Sequence, residues 1–398
     1  MNQDKKVYYL IKGVIGLSFY MMFTAAIIYR IDIAKLSVIE LILLGSALEI
    51  AIFVFETPTG VVADLVSRKL SVVIGLVIIG LGFILEGLTT MYVVIFVAQV
   101  VWGLGYTFIS GALDSWISDQ LDNESIEKIY ISGAQIDRAS SFVGIVLAAI
   151  IGMVEVRMAI FTAGSLMILL AIIVAIVMYE APFEKSEHSE SLFSSYSVHL
   201  IKGFKHIRAQ KLLKSLFIVM LFLGLFSEGI DRTYELFILD ELGFRSAFKI
   251  EPIWIVAFVN ASIALITAFA LEVVKRKIEQ SKRLVLVSAM LLLAMVLGII
   301  SFAFSKQIGF ALLGFIWFTI SRHALHPILN AIIIKNTPSK IKATTLSTFG
   351  QLDAVGQLLS GALMVAISVP LGLLGIYVMT IILLAVPCAL LFKESIRN

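Results

Sequence analysis

The chain has 398 residues, 60% of them hydrophobic and 15% charged, with a formal net charge of +3. A soluble domain carries about a quarter charged and about half apolar residues, so this composition argues against a water-soluble enzyme or a nucleic-acid-binding domain as the body of the protein. One cysteine, Cys388, leaves no partner for an intramolecular disulfide and no thiol pair for a metal.

A membrane helix needs about 20 mostly apolar residues to cross about 30 Å of hydrocarbon. Twelve such runs occur, at about 7–29, 38–63, 71–90, 92–114, 130–154, 157–179, 213–238, 251–274, 283–304, 307–334, 344–368 and 370–392. The first is too long for a signal-peptide core and lacks a small-residue cleavage site, so it is read as a retained helix. The expected fold is all-α and polytopic, in a lipid bilayer, with little room for a soluble domain. With the N-terminus inside, cytoplasmic segments hold 21 Lys and Arg against 6 outside. The positive-inside rule then puts both termini in the cytoplasm of a multi-pass plasma (cell) membrane protein.

The one long polar stretch, EAPFEKSEHSESLFSSYSVHLIKGFKHIRAQKLLK (180–214), opens acidic and turns basic. Lys202, Lys205, Arg208, Lys211 and Lys214 alternate there with Ile201, Phe204, Ile207 and Leu212, a pattern that predicts an amphipathic helix on the inner leaflet. The expected organisation is an N-terminal six-helix bundle (1–179), a cytoplasmic linker (180–212) and a C-terminal six-helix bundle (213–398). The bundles read as a duplication: LDSWISDQLDNESIEKIYISGAQID (113–137) lies over LNAIIIKNTPSKIKATTLSTFGQLD (329–353) at a shift of 216, placing Asp137 on Asp353. Parallel repeats of this kind are a transporter architecture with a midplane site.

Between the second and third runs stands ETPTGVVADLVSRKLSVVIG (56–75), with Gly60, Asp64, Arg68 and Lys69 at the spacing of the loop signature G-x-x-x-D-[RK]-x-G-[RK]-[RK]. On this motif, twelve runs and a central linker, the whole chain resembles the major facilitator superfamily. It departs at Leu65, where the family has a base, and at Ser67, where it has glycine. Gly60 is expected to let the second helix pack closely on a neighbour. The resemblance implies that Asp64 and Arg68 help close the cytoplasmic side, with Asp114 or Asp119 as the acid facing Arg68. The Gly-Pro motif common in drug–proton antiporters is absent from the fifth run, and Gln99 stands where many members have arginine.

Ionisable groups at bilayer depth cost roughly 2.5–3.5 kcal/mol each and mark function by default. The second run carries Glu49 and Glu56, seven residues apart on one helical face, and the fifth carries Asp137 beside Arg138. In the seventh, Glu228 stands four residues before Arg232, and Asp231 lies between them. The tenth has Arg322, His323 and His326, with Pro327 permitting a kink. Arg322 needs a carboxylate, with Glu228 or Asp231 as the expected partner. Asp137, Arg138 and Asp353 read as structural charges. The fourth run bears the polar stripe Gln99, Trp102, Tyr106, Ser110 and Asp114. The resemblance implies that the first, fourth, seventh and tenth helices line a cavity, making Tyr20, Thr24, Gln99, Trp102, Tyr106, Arg232, Arg322, His323 and His326 cavity candidates.

A carboxylate on a dehydrated helix face can exchange protons near neutral pH. Glu49, Glu56, Asp137, Glu228 and Asp231 are the candidates, and Glu49, with no base in its local sequence, is the first choice. No H-E-x-x-H, G-x-S-x-G or G-x-x-x-x-G-K-[ST] motif is present, which argues against an enzyme. The resulting expectation is a secondary transporter working by alternating access, a proton-coupled antiporter for efflux of small amphipathic, drug-like molecules. It would act as a monomer, with no cofactor beyond the proton gradient, no metal and no nucleic-acid partner. The alternatives are a carrier of one polar or anionic solute, a lipid translocase or a non-transporting scaffold.

Overall fold

The structure, a computed structural model, describes residues 3–120, 126–180, 207–208, 210–247, 250–278, 283–338 and 342–397. The side chain of Asp64 and most of the amphipathic linker helix lie outside the described residues. In hydrocarbon every backbone polar group must be bonded within its own segment, and the described chain answers with helices. They are α1 (Gln3–Ile28), α2 (Val38–Leu65), α3 (Arg68–Leu88), α4 (Tyr92–Ile109), α5 (Ala112–Asp119), α6 (Ile126–Gly152), α7 (Val156–Val177), α8 (Lys211–Asp231), α9 (Pro252–Ile278), α10 (Leu284–Phe304), α11 (Ile308–Lys335) and α12 (Lys342–Arg397).

Ten described stretches are long and apolar enough to span a membrane. One of them, Thr348–Arg397, has 50 residues and bends where Gly372 takes φ 62°, so it holds the last two predicted runs. With α9, described over its apolar part Pro252–Ile266, the pattern agrees with twelve predicted spans. Two predicted helices are broken. The fourth run stops at Ile109, turns at Gly111 (φ 73°) and resumes as α5. The seventh stops at Asp231 and reaches residue 241 through a short turn and a π-helical segment. Pro327 sits inside α11 without ending it.

The chain divides into two compact units: unit 1 comprises Met1–Glu187 with Phe244–Ala261, and unit 2 comprises His188–Gly243 with Ser262–Asn398. Small residues set the helix crossings inside each, as expected where lipid removes the hydrophobic incentive and close packing must hold helices together. In unit 1 a Cβ on Gly80 would stand 2.7 Å from the Gly164 carbonyl, tying α3 to α7. A Cβ on Gly16 would stand 2.6 Å from the Asp137 carbonyl, tying α1 to α6.

The duplication is visible in backbone detail. Both units end their first span in a five-residue π turn, Tyr29–Ile33 and Phe237–Glu241. Each then takes a positive φ two residues later, at Lys35 (55°) and Gly243 (69°). Gly82 faces the Ala98 carbonyl and the Trp102 amide, and 216 residues later Gly298 faces the Gly314 carbonyl and the Phe318 amide. Gly224 meets the Asp353 carbonyl as Gly16 meets that of Asp137. Gly224→Ala would therefore drive a methyl into backbone, and is expected to cost at least about 1–3 kcal/mol. Thermal unfolding in detergent checks this against Gly309→Ala, where a Cβ meets nothing within 4 Å.

Candidate functional site

Unit 1 bears a half-open cavity of about 860 Å³, within the range of small-molecule sites, about 300–1,000 Å³. Helix periodicity builds its walls. Gly16, Phe19, Tyr20 and Phe23 recur at three- and four-residue steps on α1, and Trp102 and Tyr106 do so on α4. Phe19 sits edge-on to Trp102 and Tyr106, with centroids 5.8 and 6.3 Å away, and Phe23 lies 6.0 Å from Trp102. Four lining residues are charged: Lys12, Glu49, Asp114 and Asp137. Lys12 Nζ lies 3.1 Å from Asp114, which also accepts a 2.9 Å bond from the Tyr8 hydroxyl.

Asp114 belongs to α5, and so does Asp119. Asp119 pairs with Arg68 of the signature turn, and Arg68 also donates to the Ser115 carbonyl at 2.8 Å. Asp114 is thus committed to Lys12 in the cavity and Asp119 to Arg68. One eight-residue helix, swivelled at Gly111, connects the cavity to the turn. Glu180, which the sequence did not single out, caps α3: its carboxylate accepts from the Ser67 hydroxyl, the Arg68 amide (2.7 Å) and the Lys69 amide (3.4 Å). A carboxylate is favourable there because the first turn presents unbonded N–H groups and the positive end of the helix dipole.

A second cluster, also absent from the expectations, lies behind the aromatic wall. Glu86 is 0% exposed. It receives Arg30 through two bonds (2.7 and 3.1 Å) and the Gln99 side-chain amide at 2.6 Å. Gln99 in turn accepts from the Trp102 indole at 3.1 Å. In the sequence Arg30 reads only as an outside loop charge. With both carboxylate oxygens engaged, the Gln99 amide can point only one way, so the ion pair fixes the plane of Trp102 in the cavity wall.

In unit 2, the two terminal guanidinium nitrogens of Arg322, Nη1 and Nη2, donate to the two carboxylate oxygens of Asp231, at 2.5 and 2.7 Å. Glu228 instead takes Arg232 on its own helix at 3.1 Å. Arg322, His326, Asp353 and Gln357 enclose a cavity of about 40 Å³, enough for a water-sized guest. Asp353 accepts from Gln357 at 2.9 Å, and His323 Nδ1 lies 2.9 Å from the Thr319 carbonyl.

Several expectations need correction. Gln99 and Thr24 do not line the cavity of unit 1: Gln99 turns into α3 toward Glu86, and Thr24 is fully buried. Gly60 makes no close helix contact, since a Cβ there meets nothing within 4 Å among the described residues. Asp137 and Arg138 form no ion pair at contact distance; Arg138 donates to the Tyr20 hydroxyl at 3.4 Å, while Asp137 backs onto Gly16. Arg232 and His323 are engaged by groups of their own helices rather than by the small cavity. Glu56 is exposed on α2, one helical face with Glu49, and only Glu49 lines the cavity.

Comparison with known proteins converges on one family. The Major Facilitator Superfamily profile matches residues 9–361. The Bacillus subtilis (strain 168) protein YxaM, described as an uncharacterised MFS-type transporter, is 23% identical over 385 residues, covering 96% of this chain and 94% of its own. Among solved structures, the nucleoside transporter NupG superposes with a TM-score of 0.80 at 15% identity, covering 99% of this chain and 98% of its own. A bacterial homologue of the human lysosomal transporter Spinster gives 0.77 at 14% identity, covering 99% of this chain and 98% of its own. With its apolar helices, its duplicated halves and a family match over most of its length, the chain belongs to the Major Facilitator Superfamily, as a multi-pass membrane transporter.

Proposed function

We propose that the protein is a proton-coupled exporter of small amphipathic molecules that works by alternating access. It sits in the plasma membrane as a monomer with both termini cytoplasmic, and draws on the proton gradient without any cofactor. The observation that supports this most is the cavity of unit 1, whose aromatic walls suit ligands of varied shape and whose lining carries carboxylates able to exchange protons. Glu49 is assigned the proton, because it is half-buried and lines the same space as the ligand. The Arg68–Asp119 pair and the Glu180 cap stiffen the turn between α2 and α3, which serves as the cytoplasmic rim of the cycle.

A dedicated carrier of one anionic solute has less support, because Arg322, the cation it would use, is already held by both oxygens of Asp231. Thermal unfolding of the purified protein against a chemically diverse library, repeated across pH, tests the proposal. A ligand at one hundred times its Kd stabilises the folded state by about 2.7 kcal/mol. Amphipathic compounds are expected to raise the melting temperature by an amount that changes with pH. A shift confined to small polar anions would contradict the reading.

A further inference from the structure

The start of α10 opens onto a cavity of about 470 Å³ whose lining belongs wholly to unit 2. The first bond of α10 runs from the Val287 amide to the Arg283 carbonyl at 3.1 Å, so the amides of Leu284, Val285 and Leu286 precede the intrahelical ladder. Arg283 stands at the N-cap without bonding them through its side chain, and all four residues line the cavity. Lys335, from the last turn of α11, adds a second cation.

Among the described residues no acid lines this space. Glu394, next to the lining Ser395, is buried and accepts from Ser215 at 3.1 Å and Arg397 at 3.4 Å. The negative end of α11 is closed as well: the Ile332 carbonyl receives the Asn336 side chain at 2.8 Å, and the Ile333 carbonyl the Thr337 hydroxyl at 2.7 Å. The cavity presents amide donors and positive charge, the combination that favours an anion at a helix N-terminus.

The repeat shows what such a place holds. α3 is the counterpart of α10, and there the chain supplies the anion itself: the Glu180 carboxylate accepts from the Arg68 and Lys69 amides at 2.7 and 3.4 Å. The residue 216 positions after Glu180 is Ile396, 85% exposed and without a carboxylate. Apolar residues point to what carries the anion instead. Leu286 lines the cavity, and Met290, Leu293 and Leu297 continue from it along one face of α10, all exposed. On a membrane helix such a stripe lies against acyl chains, which are as apolar as leucine.

We propose that this cavity binds the phosphate group of an anionic lipid. Its oxygens sit on the α10 amides, Arg283 and Lys335 meet its charge, and the acyl chains follow the stripe from Leu286 to Leu297. The site is separate from the cavity of unit 1 and does not depend on what that cavity carries.

The purified full-length protein in neutral detergent is titrated with three probes, read by thermal shift and native mass spectrometry. They are dioleoylphosphatidylglycerol, dioleoylglycerol (the same chains without the phosphate) and glycerol 1-phosphate (the phosphate without the chains). Phosphatidylglycerol is expected to raise the melting temperature and to bind at least about tenfold more tightly than either fragment. Lys335→Gln should weaken it about tenfold, the loss of one charge-assisted bond, with the unliganded melting temperature close to wild type. Lys393→Gln, which removes an exposed charge of α12 outside the cavity, should leave binding unchanged. Ile396→Glu restores a carboxylate at the place repeated from Glu180, and should raise the unliganded melting temperature and abolish the response to phosphatidylglycerol. Dioleoylglycerol matching phosphatidylglycerol on the wild-type protein overturns the proposal without any variant. Equal weakening by Lys335→Gln and Lys393→Gln overturns it too, as general surface attraction. Glycerol 1-phosphate binding as tightly as the lipid overturns the lipid as the source of the phosphate.

Discussion

Glu86→Ala is expected to lower the stability of the protein by about 3–5 kcal/mol, the cost of leaving one member of a buried ion pair without its partner. Arg30 would then face apolar helices with its charge uncompensated, and Gln99 would lose the acceptor that sets its amide. Glu86→Gln should fall between alanine and the wild type, since its amide oxygen can accept one of the bonds but cannot balance the charge. Arg30→Met combined with Glu86→Met should recover most of the loss, because removing both charges from a buried pair is often neutral or better. Unit 2 already holds such a solution. At the places repeated from Glu86, Gln99 and Trp102 it carries Phe302, Phe315 and Phe318. Phe302 and Phe315 pack there with centroids 4.7 Å apart. Unfolding in detergent across the four proteins measures the series. An alanine variant as stable as the wild type would show that the pair is not buried as described.

Glu49→Gln should abolish transport driven by a pH gradient, while a saturating ligand still raises the melting temperature. The substitution keeps the volume and hydrogen-bonding ability of the side chain and removes only its capacity to release a proton. Glu49 shares the cavity with Tyr106 and Asp137, so a proton taken up there changes the charge that a bound ligand meets. That coupling ties release of one to binding of the other. Glu56, exposed two turns further along the same face of α2, serves as the comparison: Glu56→Gln should retain driven transport. Driven transport unchanged in Glu49→Gln would take this residue out of the mechanism, whatever the behaviour of ligand binding.

Much of the architecture is legible in the amino-acid order, because membrane spans are set by local apolar runs and the duplication by a constant register. The 216-residue shift drawn from Asp137 and Asp353 also relates Gly82 to Gly298 in their contacts. That Arg322 requires a carboxylate follows from the cost of burying a cation; choosing Asp231 over Glu228 takes the rotation of one helix against another, which sequence spacing does not encode. The Arg30–Glu86 pair is harder to see. Its members lie 56 residues apart, Arg30 stands at a helix end where loop charges are ordinary, and Glu86 is a single acid in an otherwise apolar run. A lone acid in such a run is the one signal that could have pointed to a buried partner. The break at Gly111 is hidden because the apolar pattern continues across it, although Ser110-Gly111 is a turn pair. Gly60 shows the converse case, since a motif position says nothing of what stands beside it.

The proposed cycle couples two movements, with ligand in the cavity of unit 1 and a proton on Glu49 crossing the bilayer in opposite directions. The direct measurement places the purified protein in liposomes loaded with a pH-sensitive dye under an imposed pH gradient, and adds a compound that thermal unfolding has shown to bind. The gradient should collapse faster with the wild-type protein than with Glu49→Gln or with empty liposomes. A wild-type protein that binds the compound tightly and leaves the gradient at the rate of empty liposomes would contradict the account.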